Sequence, residues 1–217
     1  PTAPTVAAST TVACVGDNVV LNINPATGGI TYTWTDNTGT HTGTTYTITG
    51  IGPSGTYPIS VTATDGSGCV SAATNLNITV NPPPTINVSA SPTVICVGQS
   101  TTLNASGATS YTWSTNAGSV TTNTASVNPG TTDTYTVTGS TLGCISTQTV
   151  AVSVNPLPVV TANAAPATIC AGQSTVLTAG GATTYTWSTT ATTQTISVSP
   201  SSTAVYTVTG ETTGCTA

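Results

Sequence analysis

The sequence predicts an all-β protein built from three tandem β-sandwich repeats, and two observations support this. Short segments that alternate apolar and polar residues, such as Thr101-Thr102-Leu103-Asn104, are separated by Gly, Pro, Asn and Ser. Alternation with a period of two is typical of half-buried strands, and frequent turn residues are typical of antiparallel hairpins. The second observation is a long-range repetition that divides the 217 residues into three similar parts.

Cysteine-centred motifs mark the start of each repeat. The segment Ile95-Cys96-Val97-Gly98-Gln99-Ser100 recurs as Ile169-Cys170-Ala171-Gly172-Gln173-Ser174, and more loosely as Ala13-Cys14-Val15-Gly16-Asp17-Asn18. These cysteines are 82 and then 74 residues apart. Such a spacing is too long for a solenoid unit and indicates a row of small domains.

Two further motifs recur in the same order within each repeat. A Tyr-Thr-Trp segment contains Trp34, Trp113 and Trp187, and a later strand contains Tyr57, Tyr135 and Tyr206. Each such strand leads through a glycine-containing turn to a second cysteine, which is Cys69, Cys144 or Cys215. We therefore expect repeats at residues 1–82, 83–156 and 157–217, with the proline-rich segments 81–84 and 155–158 as short, semi-rigid linkers.

The composition excludes several partners. The chain has no Lys or Arg, five acidic residues and one His, whereas about a quarter of the residues in ordinary domains are charged. Without basic side chains it cannot neutralise phosphates, which argues against nucleic acids and anionic membrane surfaces. No apolar run approaches the ~20 residues of a transmembrane helix, and no signal peptide is visible at Pro1.

The motifs fit the frame of an immunoglobulin-like sandwich. In that frame a buried Trp lies on strand C, and a Tyr lies on strand F two residues before a second core position. The core anchors we expect are Trp34, Trp113, Trp187, Tyr57, Tyr135, Tyr206, Leu21, Leu103 and Leu177. Aliphatic residues thus replace the antibody-type core disulfide, and the cysteines must serve another purpose.

Together, the Cys-Val/Ala-Gly-Gln-Ser start, the Tyr-Thr-Trp strand, the Tyr-Thr-Val-Thr strand and the Gly-Cys turn resemble a known family. They resemble the tandem immunoglobulin-like repeats of large cell-surface adhesins and gliding-associated proteins of Bacteroidota. The resemblance spans the whole chain. It implies a secreted, non-catalytic module and identifies no ligand.

The third repeat is expected to lack its last strand. The second repeat continues from Cys144 through a final strand to Asn155, whereas the sequence ends at Cys215-Thr216-Ala217. We expect a truncated fragment, and an open edge of this kind is also a template for strand addition.

The six cysteines predict disulfides formed in an oxidising compartment, since no Cys-x-x-Cys spacing suggests zinc. Two pairings remain open. The within-repeat pairing is Cys14–Cys69, Cys96–Cys144 and Cys170–Cys215. On the immunoglobulin frame, however, these partners fall at opposite ends of a sandwich, ~20 Å or more apart, whereas a disulfide needs Cα atoms within ~7 Å. The staggered alternative is Cys14–Cys144 and Cys96–Cys215, with Cys69 and Cys170 left for repeats outside the chain.

No catalytic constellation is recognisable. An enzyme would need a nucleophile with its base, paired carboxylates or a metal cluster, and we expect no cofactor or metal site. His41 is interpreted as a solvated loop residue, Asp133 as a loop residue, and Asp36-Asn37 and Asp65-Gly66 as turn formers.

Two binding functions remain as alternatives, together with a role as spacer in a larger secreted enzyme. Threonines such as Thr112, Thr134, Thr136 and Thr138 could present a hydroxylated sheet face to ice. Glycan binding is less favoured because the aromatic residues are assigned to the core. Asn77, Asn87 and Asn104 match the N-glycosylation pattern, which is short and often coincidental.

The sequence therefore predicts an extracellular, non-catalytic stalk or filament segment stabilised by disulfides. Its expected partners are neighbouring immunoglobulin-like repeats of the same or adjacent chains, with an extracellular surface or glycan as a further possible ligand.

Overall fold

The computed structural model describes residues 1–217, and apart from one short 3-10 turn at Thr115–Ala117 all its regular structure is β. The prediction of an all-β fold is confirmed. The chain forms two compact units. Unit 1 contains residues 1–87, 106–112 and 137–148, and unit 2 contains the remainder.

Residues 1–82 form two facing sheets. Their strands are β1 Val6–Ala8, β2 Val12–Cys14, β3 Val19–Ile23, β4 Thr31–Asp36, β5 Gly39–Thr42, β6 Thr45–Ile48, β7 Gly55–Thr64 and β8 Thr74–Asn81. One sheet has the order β1-β3-β6, and the other has the order β2-β8-β7-β4-β5. All these pairings are antiparallel except that of β2, which runs parallel to the end of β8 and places Cys14 opposite Asn81.

The core of this sandwich follows from alternation along the strands. On β7 the inward residues Tyr57, Ile59 and Val61 are buried, while the polar residues between them face outward. Trp34 and Leu21, which are 1% and 0% exposed, meet these residues from β4 and β3. Alternation thus assigns one face of each strand to the core.

The second repeat has the same plan. Its strands are β9 Asn87–Ser91, β10 Val94–Cys96, β11 Thr101–Ser106, β12 Ser110–Trp113, β13 Thr124–Val127, β14 Asp133–Thr141 and β15 Cys144–Asn155. The sheet orders are β13-β11-β9 and β10-β15-β14-β12. Strand β10 again runs parallel to its partner, and Cys96 lies opposite Asn155.

The third repeat has shorter strands: β16 Thr161–Ala165, β17 Thr175–Gly180, β18 Thr184–Trp187, β19 Thr195–Val198, β20 Val208–Thr212 and β21 Cys215–Thr216. Its sheets have the orders β16-β17-β19 and β18-β20-β21. Strand β21 has two residues, where β15 has twelve. The last strand is therefore missing from this repeat, as the sequence predicts.

Eight of the nine expected core anchors are buried. The exception is Tyr206, which is half-buried and lies before β20 begins, so the expectation that it starts strand F is wrong. Its equivalents Tyr57 and Tyr135 lie inside β7 and β14 and are 4% and 2% exposed. These two strands are flanked by a complete last strand, which β20 lacks.

Two loop interpretations are also wrong. His41 lies on β5 opposite Trp34 rather than in a loop. Asp133 is the first residue of β14. His41 belongs to a four-residue strand because its backbone pairs with that of Trp34, a relationship that local composition does not reveal.

Candidate functional site

The cysteines form the staggered pairing. Cys14 is bonded to Cys144 and Cys96 is bonded to Cys215, with Cα–Cα distances of 5.5 and 5.6 Å. The first bridge lies within unit 1 and the second within unit 2. Cys69 and Cys170 are unpaired and exposed. Each bridge therefore joins the first cysteine of one repeat to the second cysteine of the next.

The alternative pairing within repeats is absent, and the first repeat shows the physical reason. Cys14 lies opposite Asn81, at the end of β8, whereas Cys69 precedes Thr74, at the start of β8. Strand β8 has eight residues, a length of roughly 25 Å at ~3.3 Å per residue. This separation far exceeds the ~7 Å between Cα atoms that a disulfide can bridge.

Each bridge is built on the same two local structures. The first cysteine ends a parallel strand, β2 or β10, and the second follows a two-residue hairpin turn. Both residues of the turns Leu142-Gly143 and Thr213-Gly214 have positive φ, between 51° and 83°. This backbone matches the type I′ turns that favour tight hairpins. Cys144 and Cys215 are the first residues of β15 and β21. They are 0% and 1% exposed.

The main-chain carbonyl group of an asparagine lies beside each bridge. The carbonyl oxygen of Asn81 accepts a hydrogen bond from the N–H of Val15 at 3.0 Å and lies 3.7 Å from Sγ of Cys144. Asn155 repeats this arrangement with Val97 at 3.0 Å and Sγ of Cys215 at 3.9 Å. The Asn155 side chain also donates to the carbonyl of Thr213 at 3.2 Å.

The residues that directly follow each proline-rich linker pack on glycines, and we call these the linker contacts. The carbonyl group of Thr85 lies against Gly107, so closely that a Cβ atom there would overlap it. The side chains of Ile86 and Ala108 both lie against Gly139 in the same way. Ile86 is 6% exposed.

The second bridge has matching linker contacts. The carbonyl group of Val159 lies against Gly181, and the side chains of Val160 and Ala182 both lie against Gly210. We define each set of bridge, asparagine carbonyl and linker contacts as a joint: joint 1 contains Cys14–Cys144, and joint 2 contains Cys96–Cys215. The linker contacts were not anticipated, although the repeated Gly-Ala-Thr segments at 107–109 and 181–183 signal them.

The aromatic anchors have their polar groups satisfied inside each sandwich. The indole N–H groups of Trp34, Trp113 and Trp187 donate to main-chain carbonyls at 2.9, 3.1 and 3.0 Å. The hydroxyl groups of Tyr111 and Tyr185 each bond the carbonyl of an alanine three residues earlier. Buried Trp and Tyr require such partners, so these residues support the fold rather than form an exposed glycan platform.

A polar cluster around Asp36 occurs in the first repeat alone, since Thr115 and Thr189 occupy the equivalent positions. The Asp36 side chain is 0% exposed. Its carboxylate accepts hydrogen bonds from the hydroxyl groups of Tyr46 at 2.6 Å and Tyr57 at 3.0 Å. It also accepts from the N–H and hydroxyl of Thr38 at 2.7 and 2.6 Å.

These contacts determine the ionisation of the cluster. Burial acts to raise the pKa of Asp36, but the hydrogen bonds from Thr38, Tyr46 and Tyr57 outweigh it and lower this pKa to about 2. Burial, followed by the bond to Asp36, raises the pKa of Tyr57 to about 12. The cluster thus holds a carboxylate and neutral phenols across a wide pH range.

His41 lies at the rim of this cluster. Its ring stacks on Tyr46 with centroids 4.4 Å apart, and its Nε2 atom lies 3.9 Å from the Asp36 carboxylate. No group of three His, Cys, Asp or Glu side chains could hold a metal ion. Because the carboxylate already accepts from three side chains, the cluster is best explained as a clamp that ties β4 to β6 and β7.

The remaining residues singled out from the sequence lie on strands. Asn77 and Asn87 are exposed on β8 and β9, and Asn104 is half-buried on β11. Thr112 and Thr134 are exposed, whereas Thr136 and Thr138 are partly covered. No helix in the structure is long and apolar enough to cross a membrane.

The fold and the joints define the class: a tandem array of immunoglobulin-like β-sandwiches with disulfides, a type of extracellular structural module. Residues 1–82 match the model of the family described as "Ig-like domain CHU_C associated" (Ig_7). Immunoglobulin-like and fibronectin-like folds are generally non-catalytic. No curated protein matches the chain by sequence.

Solved structures that match the chain include the following three. The three N-terminal domains of the bacteriophage RB49 highly immunogenic outer capsid protein (Hoc) are 15% identical with a TM-score of 0.36, over 99% of this chain and 94% of that one. The fibronectin(III)-like modules of Clostridium thermocellum CbhA are 13% identical with a TM-score of 0.40, over 70% and 95%. A C-terminal fragment of intimin, solved with the intimin-binding domain of its translocated receptor, is 16% identical with a TM-score of 0.46, over 76% and 67%.

Proposed function

We propose that this chain is a segment of an extracellular stalk or filament, with a mechanical rather than a catalytic function. The observation that carries the proposal is that each disulfide connects one sequence repeat to the next rather than closing a repeat on itself. Closing each repeat separately would be sufficient to stabilise it. Bridges between repeats instead resist their separation under tension.

The order of the four bonded cysteines strengthens this proposal. Cys96 lies between Cys14 and Cys144 in sequence, and its partner Cys215 lies beyond both, so the bridges interlace. Tension applied to the chain ends follows the shortest covalent path, which crosses from Cys14 to Cys144, runs back along the chain to Cys96 and crosses to Cys215. Only 48 of the 201 positions between Cys14 and Cys215 remain on that path, so the two bridges together remove 153 positions from the extensible length.

Force spectroscopy on the whole chain, held by its two ends, tests the proposal. Reduction of both bridges should lengthen the fully unfolded chain by about 520 Å, because 153 positions return to the path at ~3.5 Å each and the short spans of the two bridges are lost. If the oxidised chain extends as far as the reduced one, the bridges do not limit extension and the mechanical function is wrong.

The unpaired cysteines extend the same pattern. Cys69 is the second cysteine of its repeat and Cys170 is the first of its repeat. Under the bonding rule seen at both joints, Cys69 would take a partner from a preceding repeat and Cys170 from a following one. We propose that neighbouring repeats of this kind, in the same or an adjacent chain, are the partners of this segment.

The sequence repeats 1–82, 83–156 and 157–217 are proposed as the domains of the stalk. An extracellular location is supported by the disulfides, which persist in oxidising compartments. The family model matched by residues 1–82 is linked to Bacteroidota, and this supports a surface protein of adhesin or gliding-associated type. Because no nucleophile, base and acid converge in the structure, the proposed function includes no catalytic step.

A further inference from the structure

A groove of about 410 Å³ lies beside the Asp36 cluster in the first repeat. It is lined by His41 on β5, by residues 46–48 on β6, by the loop segment 49–53 and by Tyr57 on β7, among others. Ligand pockets in proteins typically have volumes of roughly 300–1,000 Å³. Strand β5, which carries His41, has no counterpart in the second or third repeat. This wall of the groove is therefore specific to the first repeat.

The groove combines an apolar floor with an uncharged polar rim. The floor is formed by the side chains of Ile48, Ile51 and Tyr57, which are 5%, 1% and 4% exposed. The rim carries exposed polar side chains that make no hydrogen bond within the chain, namely those of Asn37, Thr47 and Thr49. A lining of apolar surface with a few polar groups is typical of sites that bind and orient small molecules.

The loop segment that lines the groove is held in place by hydrogen bonds to a neighbouring loop. The N–H of Ile51 donates to the carbonyl of Asp17 at 2.8 Å, and the carbonyl of Ile51 accepts from the N–H of Gly16 at 2.8 Å. The N–H of Gly50 donates to the side-chain oxygen of Asn18 at 2.9 Å. The groove is thus formed before any ligand arrives, which reduces the entropic cost of binding.

Hydrogen bonding determines which nitrogen of His41 is free. The Thr38 hydroxyl donates its proton to the Asp36 carboxylate at 2.6 Å, because a carboxylate can only accept. The Thr38 oxygen can therefore only accept from Nε2 of His41, which lies 3.2 Å away. In a neutral imidazole that carries its proton on Nε2, the Nδ1 atom is an acceptor. This atom has no partner within the chain, and the His41 side chain is 40% exposed.

Charge restricts what the groove can bind. Apart from His41 the chain has no basic side chain, so an anion would find no partner and would be repelled by the nearby Asp36 carboxylate. A cation would find no free carboxylate oxygen, because the Asp36 side chain is 0% exposed. Its oxygens already accept from Thr38, Tyr46 and Tyr57. An uncharged ligand is therefore favoured.

We propose that this groove binds a neutral saccharide, with one sugar ring packed on His41 and the apolar floor. A pyranose ring matches these surfaces, since its C–H groups form an apolar face and the hydroxyl groups around its edge donate and accept hydrogen bonds. The C–H face lies against the outer face of the imidazole, whose other face stacks on Tyr46. One sugar hydroxyl donates to Nδ1 of His41, and others bond the polar side chains of the rim.

Titration of neutral disaccharides into the isotope-labelled 217-residue chain, followed by NMR, tests this site. The probes are cellobiose, maltose, lactose and N,N′-diacetylchitobiose, which differ in hydroxyl orientation and in an N-acetyl group. At least one should shift the amides of residues 37–38 and 46–53 saturably at millimolar concentration. The indole N–H groups of Trp113 and Trp187, in the other two repeats, are internal controls and should not move.

Charged probes test the electrostatic argument. A disaccharide in which a carboxylate replaces one hydroxymethyl group, and N-acetylarginine amide as a cation, should each bind about tenfold more weakly than the best neutral sugar.

Variants of β5 separate the contributions of His41. His41→Ala removes both the stacking face and the acceptor and should weaken binding by more than about tenfold. His41→Phe keeps a stacking face without the acceptor and should weaken it by about two- to tenfold. Thr42→Ala is the matched control, since Thr42 is exposed and points to the other side of the strand, and binding should not change. The indole N–H of Trp34, which donates to Gly43, reports whether each variant keeps the fold.

Absence of saturable shifts with every disaccharide at millimolar concentration would overturn the proposal, and so would unchanged binding by the His41→Ala variant. Shifts that map to the threonine-rich sheet faces rather than to residues 37–53 would place the saccharide elsewhere and overturn it as well. Tighter binding of the arginine derivative than of every sugar would mean that the occupant is a basic side chain. Neither disulfide takes part in this site, so failure of saccharide binding leaves the stalk function untouched.

Discussion

The carbonyl oxygen of Asn81 lies 3.7 Å from Sγ of Cys144, although the two residues are 63 positions apart in sequence. Asn81 ends the last strand of the first repeat, and Cys144 follows a hairpin turn in the second. The same relationship recurs between Asn155 and Cys215 at 3.9 Å. The same geometry at both bridges indicates that the joint is a recurrent feature of the repeats. The predictions below test what the joints and the Asp36 cluster contribute.

Interlacing places both bridges on the shortest covalent path, so each contributes to the limit on extension. When Cys14→Ser removes the first bridge, the second still removes 119 of the 153 positions, so the unfolded chain should lengthen by 34 positions. At ~3.5 Å per residue, less the span of the lost bridge, this is about 110 Å. Removal of the second bridge by Cys96→Ser should lengthen the chain by 23 positions, or about 75 Å, since the first bridge alone removes 130 positions.

Force-extension curves of the two single variants and the double variant measure this effect. The Cys69→Ser variant, in which an exposed thiol is replaced, is the matched control and should extend like the parent chain. An unchanged extension in either single variant would show that the shortest covalent path does not use both bridges.

Linker packing should make Gly107 far less tolerant of substitution than Gly98. Both have positive φ, +97° and +88°, so alanine introduces similar backbone strain of ~1–2 kcal/mol at each. At Gly98 a Cβ meets no atom within 4 Å, whereas at Gly107 it overlaps the carbonyl of Thr85. Gly107→Ala should therefore lower the free energy of unfolding more than Gly98→Ala, measured by urea denaturation with hydrogen exchange at Ile86 as the local probe.

Gly181 and Gly172 provide the same comparison in joint 2, with φ of +86° and +79°. Equal destabilisation by alanine at the paired glycines would mean that the linker contacts contribute nothing beyond backbone strain.

The Asp36 clamp should contribute measurably to the stability of the first repeat. Asp36→Ala leaves the buried hydroxyl groups of Tyr46 and Tyr57 without their acceptor, which should cost about 1–3 kcal/mol. The matched pair Tyr57→Phe and Tyr135→Phe isolates one bond, since both tyrosines are buried in equivalent positions but only Tyr57 donates to Asp36. Tyr57→Phe should cost ~1 kcal/mol more than Tyr135→Phe in chemical denaturation.

The same clamp predicts how stability depends on pH. The folded pKa of Asp36, about 2, is below its ordinary value of 3.8, so its contribution is present above 3.8 and is lost as pH falls through about 2. The folded pKa of Tyr57, about 12, is above its ordinary value of 10.0, so its contribution is present below 10.0 and is lost as pH rises through about 12.

Denaturation of the parent chain across pH 1.5–5 should show the acidic loss, and Asp36→Asn should flatten that part of the profile. If the Asn variant keeps the full acid dependence, another carboxyl group is responsible.

Much of the fold could be predicted because its determinants are local and repeated. Alternation marked the strands, and three copies of each motif aligned the core residues, of which Trp34, Trp113 and Trp187 are all 2% exposed or less. The staggered cysteine pairing was one of two that the sequence left open. The frame argued against the pairing within repeats and named the staggered partners, but both depended on where the strands end, which only the structure shows.

Other features depended on contacts between distant segments. His41 was interpreted as a loop residue because its strand neighbour Trp34 and stacking partner Tyr46 are not apparent from local composition. Asp36 was interpreted as a turn former, and its turn with Thr38 exists, but its two tyrosine donors come from other strands.

The sequence by itself determined the class of the protein: all-β, repeated, nearly uncharged, with Trp, Tyr and Leu at the core. These properties depend on residue type and spacing along the chain. The tertiary structure alone decided that Cys14 bonds Cys144, that Thr85 packs on Gly107, and that Asp36 accepts hydrogen bonds from two tyrosines. Each of these depends on which segments meet in space, since a bond, an overlap or a hydrogen bond between strands arises only when two separate parts of the backbone are brought together.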